Sequence, residues 1–325
     1  MDKKPSLMPD STRLTKKKSL THYQIAARKR LRFTAVLIIF IIPALIALTV
    51  FLGNKRLYLP LSVLILILVM SPFFMIFEKR RPKAREIVLI AMMSALTVSA
   101  HTFFHIAFPV QIGTAMIVIS GISLGPEAGF LIGAMSRFVC NFYMGQGSWT
   151  PWQMFCWGIL GFMAGLAFNR ENIKALSSKG LKSVMAPLLS VIFAELLGYI
   201  SFLIWHNPDE TFFGWRVYLF GIIGLVAAIV FQKKRLPADN LTMAVFTFVT
   251  TFVIYGGIMN FAAMTMSMNA PGSSGFSLKT LKILYISGVS YDFYHALTAA
   301  ICVFIMATPL VSKLERIKIK YGIYK

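Results

Sequence analysis

The chain has 325 residues, of which 57% are hydrophobic and only 14% are charged. Ordinary soluble domains contain fewer apolar and more charged residues, so the composition excludes that class and indicates a protein that folds in a membrane. The apolar residues form long runs separated by short polar loops, and no polar stretch is long enough for a separate soluble catalytic domain.

Apolar runs of roughly 18 or more residues match the thickness of the hydrocarbon layer, and counting such runs predicts about ten transmembrane helices. The predicted spans in chain order are 33–52, 57–77, 86–108, 111–124, 128–143, 151–168, 183–205, 213–231, 241–267 and 281–308. The expected fold class is therefore all-α, a polytopic integral membrane protein.

The positive charge indicates the orientation of these spans. The formal net charge is +21, and most of the 33 Lys and Arg residues lie before the first span or after the second, sixth, eighth and tenth. If ten spans alternate, these segments share one side, and the other side holds only Lys55, Arg56, Lys279 and Lys282. The positive-inside rule then places both termini in the cytoplasm. We attribute the basicity to topology and membrane lipids, not to nucleic acid, and expect the first span to be a retained anchor.

Motifs for chemistry are missing from the sequence. It contains no Walker-type, HExxH or GxSxG element, so we predict neither an enzyme nor a bound cofactor. Cys140, Cys156 and Cys302 all lie within predicted spans and are too scattered for a disulfide framework or a metal site. We expect them to be packing residues.

Small residues mark the start of the least generic segment, residues 86–170. Ala91, Ser94 and Ala95 form a stripe along one face of a predicted helix, which permits close approach of another helix, either within the chain or from a partner. Farther on, Gly125 and Pro126 predict a helix end and a tight turn. We expect the neighbouring glycines to serve helix approach and not phosphate binding.

A loop rich in Trp and Gln follows, within residues 144–154. Gln146, Trp149, Trp152 and Gln153 combine flat apolar surface with hydrogen-bonding groups, a combination typical of a ligand cap. The alternative is an interfacial aromatic belt, which requires the two tryptophans but neither glutamine.

Ionisable residues inside apolar spans are costly and therefore informative. Arg137 and Asp292 lie at comparable depth, so an ion pair between them is geometrically possible. A third residue of this kind, Glu195, could join Asp292 and His295 in a proton relay if the protein were a proton-driven carrier.

Two groups of polar residues are candidates for a binding pocket. The predicted pocket floor consists of Arg137, Asn141, Asn260, Asp292 and His295, with Tyr291 beside them. The alternative is that the charged pair only joins helices. Near the outer end of the third span, His101 and His105 are four residues apart and could grip a ligand. We predict no metal site because no third ligand lies nearby.

Several motifs together resemble a known family. They are the AxxxA helix, the turn LGPEAG, the block GQGSWTPWQMFCWGILGFMAGL, the helix GGIMN, and the end of the chain from VSYDFYHA to KLERIKIKYG. Over residues 86–170 and 241–325 the sequence resembles the S components of energy-coupling factor (ECF) transporters, which are membrane subunits that bind a vitamin or related micronutrient.

The resemblance implies a six-helix core with an outward-facing substrate pocket, in the cytoplasmic membrane of a bacterial-type cell. It also implies that Ala91 and Ala95 dock on a T component that works with two cytoplasmic ATPase subunits. Ten spans exceed six, so four helices are additions. The expected division is a basic tail (1–32), an added pair (33–77), four core helices (78–182), an added pair (183–232), and two core helices with a basic tail (233–325).

The function expected from this resemblance is substrate capture for an ATP-driven importer. The block GQGxWTPWQM looks most like S components associated with cobalamin-type ligands. The alternative function is a self-sufficient, proton-coupled secondary transporter of a small polar solute.

Overall fold

The computed structural model describes residues 83–168, 180–205, 211–231, 236–268 and 277–323, together with scattered residues between 63 and 77. Within these ranges the backbone is helical, with no strand and an isolated bridge between Phe168 and Leu236. The predicted tail 1–32 and the span 33–52 lie outside the described residues, as does most of the span 57–77.

The described helices coincide with the apolar runs. They are α1 (Ala84–Ala107), α2 (Ile112–Leu124), α3 (Pro126–Met144), α4 (Thr150–Ala167), α5 (Gly180–Ile204), α6 (Trp215–Phe231), α7 (Asn240–Thr250), a π-helix (Thr251–Gly256), α8 (Gly257–Ser267) and α9 (Leu278–Tyr321). Within the described ranges, four helical runs are long and apolar enough to cross a membrane. The prediction of a helical membrane protein is confirmed, whereas the count of ten spans and the cytoplasmic termini stay predictions.

Pro and Gly set two of the helix ends, and the boundary at Gly125 and Pro126 is the one that the sequence predicts. Phe108 ends α1 in an extended conformation because the next residue is proline, which disfavours helical geometry before it. Gly125 has a φ of 102° between α2 and α3, and Pro126 then opens α3. At this first position a proline costs no intrahelical hydrogen bond.

The shortest of the early helices, α2, lies at the centre of the bundle. All 13 of its residues are buried, and it contacts α1, α3, α4 and α9. Its sequence is apolar on every side, which is the pattern of a helix surrounded by other helices.

Glycines permit α2, α3 and α4 to approach closely. A Cβ on Gly121 would lie 2.1 Å from the carbonyl oxygen of Gly161, and a Cβ on Gly161 would lie 2.3 Å from that of Gly129. The three backbones therefore touch where these glycines meet. The prediction that the glycines serve helix approach is confirmed.

The two ends of the bundle differ in their chemistry. Where α9 ends, Arg85 donates to the carbonyl of Tyr321 (3.0 Å) and Lys318 donates to that of Ser123 (2.7 Å). We call this the basic end. The opposite end carries residues 145–149, which join α3 to α4, and we call it the loop end.

The last helix is longer than predicted. The sequence placed the end of this span at residue 308, but α9 continues to Tyr321 and has 44 residues, or about 66 Å at the usual rise per residue. Its last turns pack on the bundle through Val311 and Leu314, which are buried. Gly322 then closes the helix in a left-handed conformation, with Ile323 donating to the carbonyl of Lys318.

A hairpin of two helices joins the bundle from one side. α5 and α6 pack against each other, while α5 also contacts α7, and α6 contacts the π-helix and α9. The π-helix interrupts the span predicted at 241–267, and such interruptions occur frequently at functional sites.

Candidate substrate-binding site

Three helices bring polar side chains together in the half of the bundle nearer the loop end. Arg137 of α3 donates from Nε to Oε1 of Gln153 on α4 (2.9 Å) and from its terminal nitrogen to Nε2 of His101 on α1 (3.3 Å). Asn141, one turn beyond Arg137, donates to the same Gln153 oxygen (3.0 Å). The guanidinium lies 5.0 Å from the ring centre of Trp157. We call these five residues the arginine cluster.

Among the described residues, no opposite charge is paired with the positive charge of the arginine cluster. Within the described ranges, no carboxylate lies within ion-pair distance of Arg137. Nδ1 of His101 and Oδ1 of Asn141 are buried and have no hydrogen-bond partner among the described residues. Buried polar atoms are normally satisfied, so these groups are available to a ligand or to water.

The loop beside this cluster is held by its own hydrogen bonds. Oε1 of Gln146 accepts a hydrogen bond from the hydroxyl of Thr150 (2.9 Å), which in turn accepts one from Asn141 (3.0 Å). Trp149 is 39% exposed, and its ring lies against Gly147. The loop therefore links the exposed end of the bundle to the arginine cluster.

The second tryptophan of the block has a different position. Trp152 is only 2% exposed and packs in an apolar cluster with Phe130 and Phe155. Of the two tryptophans, Trp149 is therefore the one that presents its ring to the surroundings.

A second polar group surrounds Asp292 of α9. Its Oδ2 accepts hydrogen bonds from the hydroxyl of Tyr218 on α6 (2.5 Å) and from Nδ2 of Asn260 on α8 (2.7 Å). We call these three residues the aspartate cluster. Asn260 and Asp292 were predicted from the sequence, but Tyr218 was not. Tyr218 lies near the start of α6, where aromatic residues of an interfacial belt are also expected, so no sequence feature marked it as a site residue.

The ion pair considered between Arg137 and Asp292 is not formed. Arg137 bonds to Gln153 and His101, whereas Asp292 bonds to two neutral donors. Similar depth in the membrane was insufficient because the rotation of each helix decides which side chains meet.

His295 belongs to neither cluster and contacts other residues. Its Nε2 is joined to the hydroxyl of Thr114 on α2 by a hydrogen bond of 2.9 Å, and its ring centre lies 4.5 Å from that of Tyr255. Tyr255 belongs to the same apolar cluster as Trp157, the aromatic member of the arginine cluster. Tyr291, one turn before His295, is 57% exposed.

Two other candidate sites are not assembled. His105 is exposed with its ring centre 5.5 Å from that of His101, and no group of three potential metal ligands occurs among the described residues. Glu195 lines a groove of about 570 Å³ between α5 and α7, whose other walls include Leu188 and Tyr199. In the described part of the chain, no hydrogen bond connects Glu195 to Asp292 or His295, as a proton relay would require.

The predicted docking stripe lies on the outside of the bundle. Ala91 and Ala95 are exposed one turn apart on α1. Ser94 is half-buried, and its carbonyl accepts a hydrogen bond from Ser136 of α3 (3.4 Å). The two alanines are therefore accessible, while Ser94 faces the chain's own third helix.

The fold and these clusters define a helical membrane protein with a polar interior near one end. Residues 81–210 match a family model described as "ECF-type riboflavin transporter, S component". The match identifies this segment, which runs from the start of α1 to beyond the end of α5, as an ECF S component. For this segment the family predicted from the sequence motifs is confirmed. The resemblance over residues 241–325 lies outside the matched segment and stays a prediction. No solved structure matches the chain significantly.

Proposed function

We propose that the chain is the substrate-binding subunit of an ECF importer and that its ligand is riboflavin or a close relative. The observation that carries the proposal is the arginine cluster, which lies within the segment that matches the riboflavin-type family model. Riboflavin has a flat ring system with carbonyl and imide groups on one edge and a chain of hydroxyl groups. An arginine, two amides and an indole ring suit such a ligand.

The family description favours riboflavin over the cobalamin-type ligand suggested by the GQGxWTPWQM block. The burial of Trp152 also favours riboflavin over a cobalamin-type ligand. Its ring lies inside the bundle and adds no exposed aromatic surface at the loop end. A flat ring held near Trp149 and Trp157 requires less exposed aromatic surface than a corrin ring.

Transport requires partners in this proposal. The family implies a T component and two cytoplasmic ATPase subunits, and the exposed alanines of α1 provide a surface on which another helix can approach closely. The chain would capture the ligand at the loop end, facing outward, and its basic end would face the cytoplasm, where the inner leaflet attracts positive charge.

The test measures binding of riboflavin to the purified chain in detergent through the quenching of the ligand's fluorescence. We expect saturable binding that excess cobalamin does not displace. Arg137→Gln should weaken binding about tenfold or more, because a hydrogen bond from a charged donor contributes roughly 1.5–3 kcal/mol. Arg316→Gln, at an exposed position on the basic end, is the matched control and should bind as the wild type does.

Two results would contradict the proposal. One is the absence of riboflavin binding by a folded, monodisperse wild-type chain. The other is uptake of riboflavin, dependent on a proton gradient, into liposomes that contain this chain alone. That result would favour the secondary transporter.

A further inference from the structure

A residue from the α5–α6 hairpin enters the polar interior of the bundle. Tyr218 is 2% exposed, and its hydroxyl donates to Oδ2 of Asp292, 74 residues farther along the chain (2.5 Å). Its ring stacks on Phe252 of the π-helix, with the ring centres 5.4 Å apart. The hairpin is therefore connected to the core through a buried hydrogen bond as well as through apolar packing.

Two glycines make the space that this aspartate cluster occupies. A Cβ on Gly256, the last residue of the π-helix, would lie 2.6 Å from Oδ2 of Asp292. A Cβ on Gly288 of α9 would lie 2.2 Å from Oδ1 of Asn260. Any side chain at either position would collide with the cluster, so the backbone around it is shaped to admit these polar groups.

The hydrogen bonds of Asp292 are unevenly divided between its two oxygens. Oδ2 accepts from both Tyr218 and Asn260, while Oδ1 accepts no hydrogen bond from the described residues. Among the residues that the structure describes, no Lys, Arg or His forms an ion pair with Asp292. Two donors on one oxygen fix the plane of the carboxyl group and leave the other oxygen as an acceptor.

We propose that Oδ1 of Asp292 accepts a hydrogen bond from an N–H or O–H group of the bound ligand, and that Tyr218 is the positioning residue that holds it. The inference rests on the proposed function, because the ligand is taken to be riboflavin. Riboflavin offers two kinds of donor, the imide N–H of its ring and the hydroxyls of its ribityl chain. The arginine cluster offers a cation and amide groups to acceptor atoms of the same ligand, so the two clusters are complementary.

The inference assigns a role to the hairpin. α6 supplies the donor that orients Asp292, so the helix pair that the sequence identified as an addition takes part in ligand recognition. The effect of Tyr218 is indirect, since its hydroxyl is directed at Asp292 and not at the ligand.

The experiment compares two tyrosine variants. Tyr218→Phe removes the hydroxyl that bonds Asp292, whereas Tyr285→Phe removes a hydroxyl that bonds the carbonyl of Gly257 (2.9 Å). The two rings are neighbours, with centres 4.9 Å apart, so Tyr285→Phe controls for the loss of a buried hydroxyl in the same place. We expect Tyr218→Phe to weaken riboflavin binding about fivefold and Tyr285→Phe to change it less than twofold. Both affinities are measured on the folded, monodisperse fraction.

Asp292→Asn distinguishes ligand recognition from a structural role. The wild type and this variant are titrated with riboflavin, with 3-methylriboflavin, which lacks the imide N–H, and with lumiflavin, in which a methyl group replaces the ribityl chain. Asp292→Asn should weaken riboflavin binding about tenfold. For the analogue that lacks the donor bound by Oδ1, the same substitution should cost less than twofold.

The outcomes separate the two proposals. If the wild type does not bind riboflavin, the proposed function is wrong. If the wild type binds riboflavin and Arg137→Gln weakens it, but Tyr218→Phe equals Tyr285→Phe, then only the role of Tyr218 is refuted. If Asp292→Asn costs the same for all three ligands, the carboxyl group does not contact the ligand.

Discussion

Replacement of Gly161 by alanine tests the packing that supports the arginine cluster. The added Cβ would lie 2.3 Å from the carbonyl oxygen of Gly129 and 2.9 Å from a methyl group of Ile117. Ordinary van der Waals contact requires 3.4 Å or more, so α4 must move away from α3 by about 1 Å. Overpacking of this kind costs about 1–3 kcal/mol, and the gain in helix propensity from glycine to alanine offsets at most about 1 kcal/mol.

The matched control is Gly257→Ala on α8. Gly257 is also helical and buried, but a Cβ there would meet its nearest neighbour, Tyr218, at 3.6 Å. The assay is thermal unfolding in detergent, with tryptophan fluorescence as the readout. We expect the unfolding midpoint to be roughly 5 °C below that of the wild type for Gly161→Ala and unchanged or higher for Gly257→Ala. Equal midpoints for the two variants would refute the argument that the backbones of α3 and α4 are in contact at Gly161.

Two further predictions concern the basic end and the docking face. Lys318→Met removes a buried charge-assisted hydrogen bond to the end of α2 together with an ion pair to Glu315, and should cost about 2 kcal/mol in unfolding experiments, whereas Lys320→Met, at an exposed position, should cost less than about 0.5 kcal/mol. Equal costs would show that these two interactions contribute nothing. The double variant Ala91→Leu with Ala95→Leu should abolish co-purification with a coexpressed T component while riboflavin binding persists, and Val226→Leu, exposed on α6, should preserve both. Intact assembly of the double variant would mean that α1 docks through another face.

Hydrophobic length predicted the helices well because a span must be both long and apolar. Each run predicted between residues 86 and 308 lies on described helix, and Gly125 and Pro126 mark a boundary that the sequence located correctly. The end of α9 was missed because its last turns are amphipathic. From its sequence, the basic segment at the end of α9 resembles a solvated tail. The structure shows that its buried residues, such as Leu314, pack on other helices.

The candidate site was only partly predictable, and the reason is geometric. Polar residues in apolar runs are rare, so Arg137, Asn141 and Asp292 could be identified from the sequence as interior residues. Their partners could not be identified, because a pairing depends on helix rotation, which depth along the span does not specify. Arg137 consequently meets Gln153 of the neighbouring helix and not Asp292.

The connection between Tyr218 and Asp292 bears on the division of the chain into a six-helix core and added helices, which stays a prediction. An addition that packed only through apolar side chains could be lost at the cost of exposing them to lipid, which is itself apolar. Loss of α6 would instead remove one of the two donors to a buried carboxyl group, and a single hydrogen bond contributes about 0.5–1.5 kcal/mol. The carboxyl group would also be free to turn about its remaining bond to Asn260. A chain that contains this aspartate in this position therefore depends on α6 for the orientation of the group as well as for its stability.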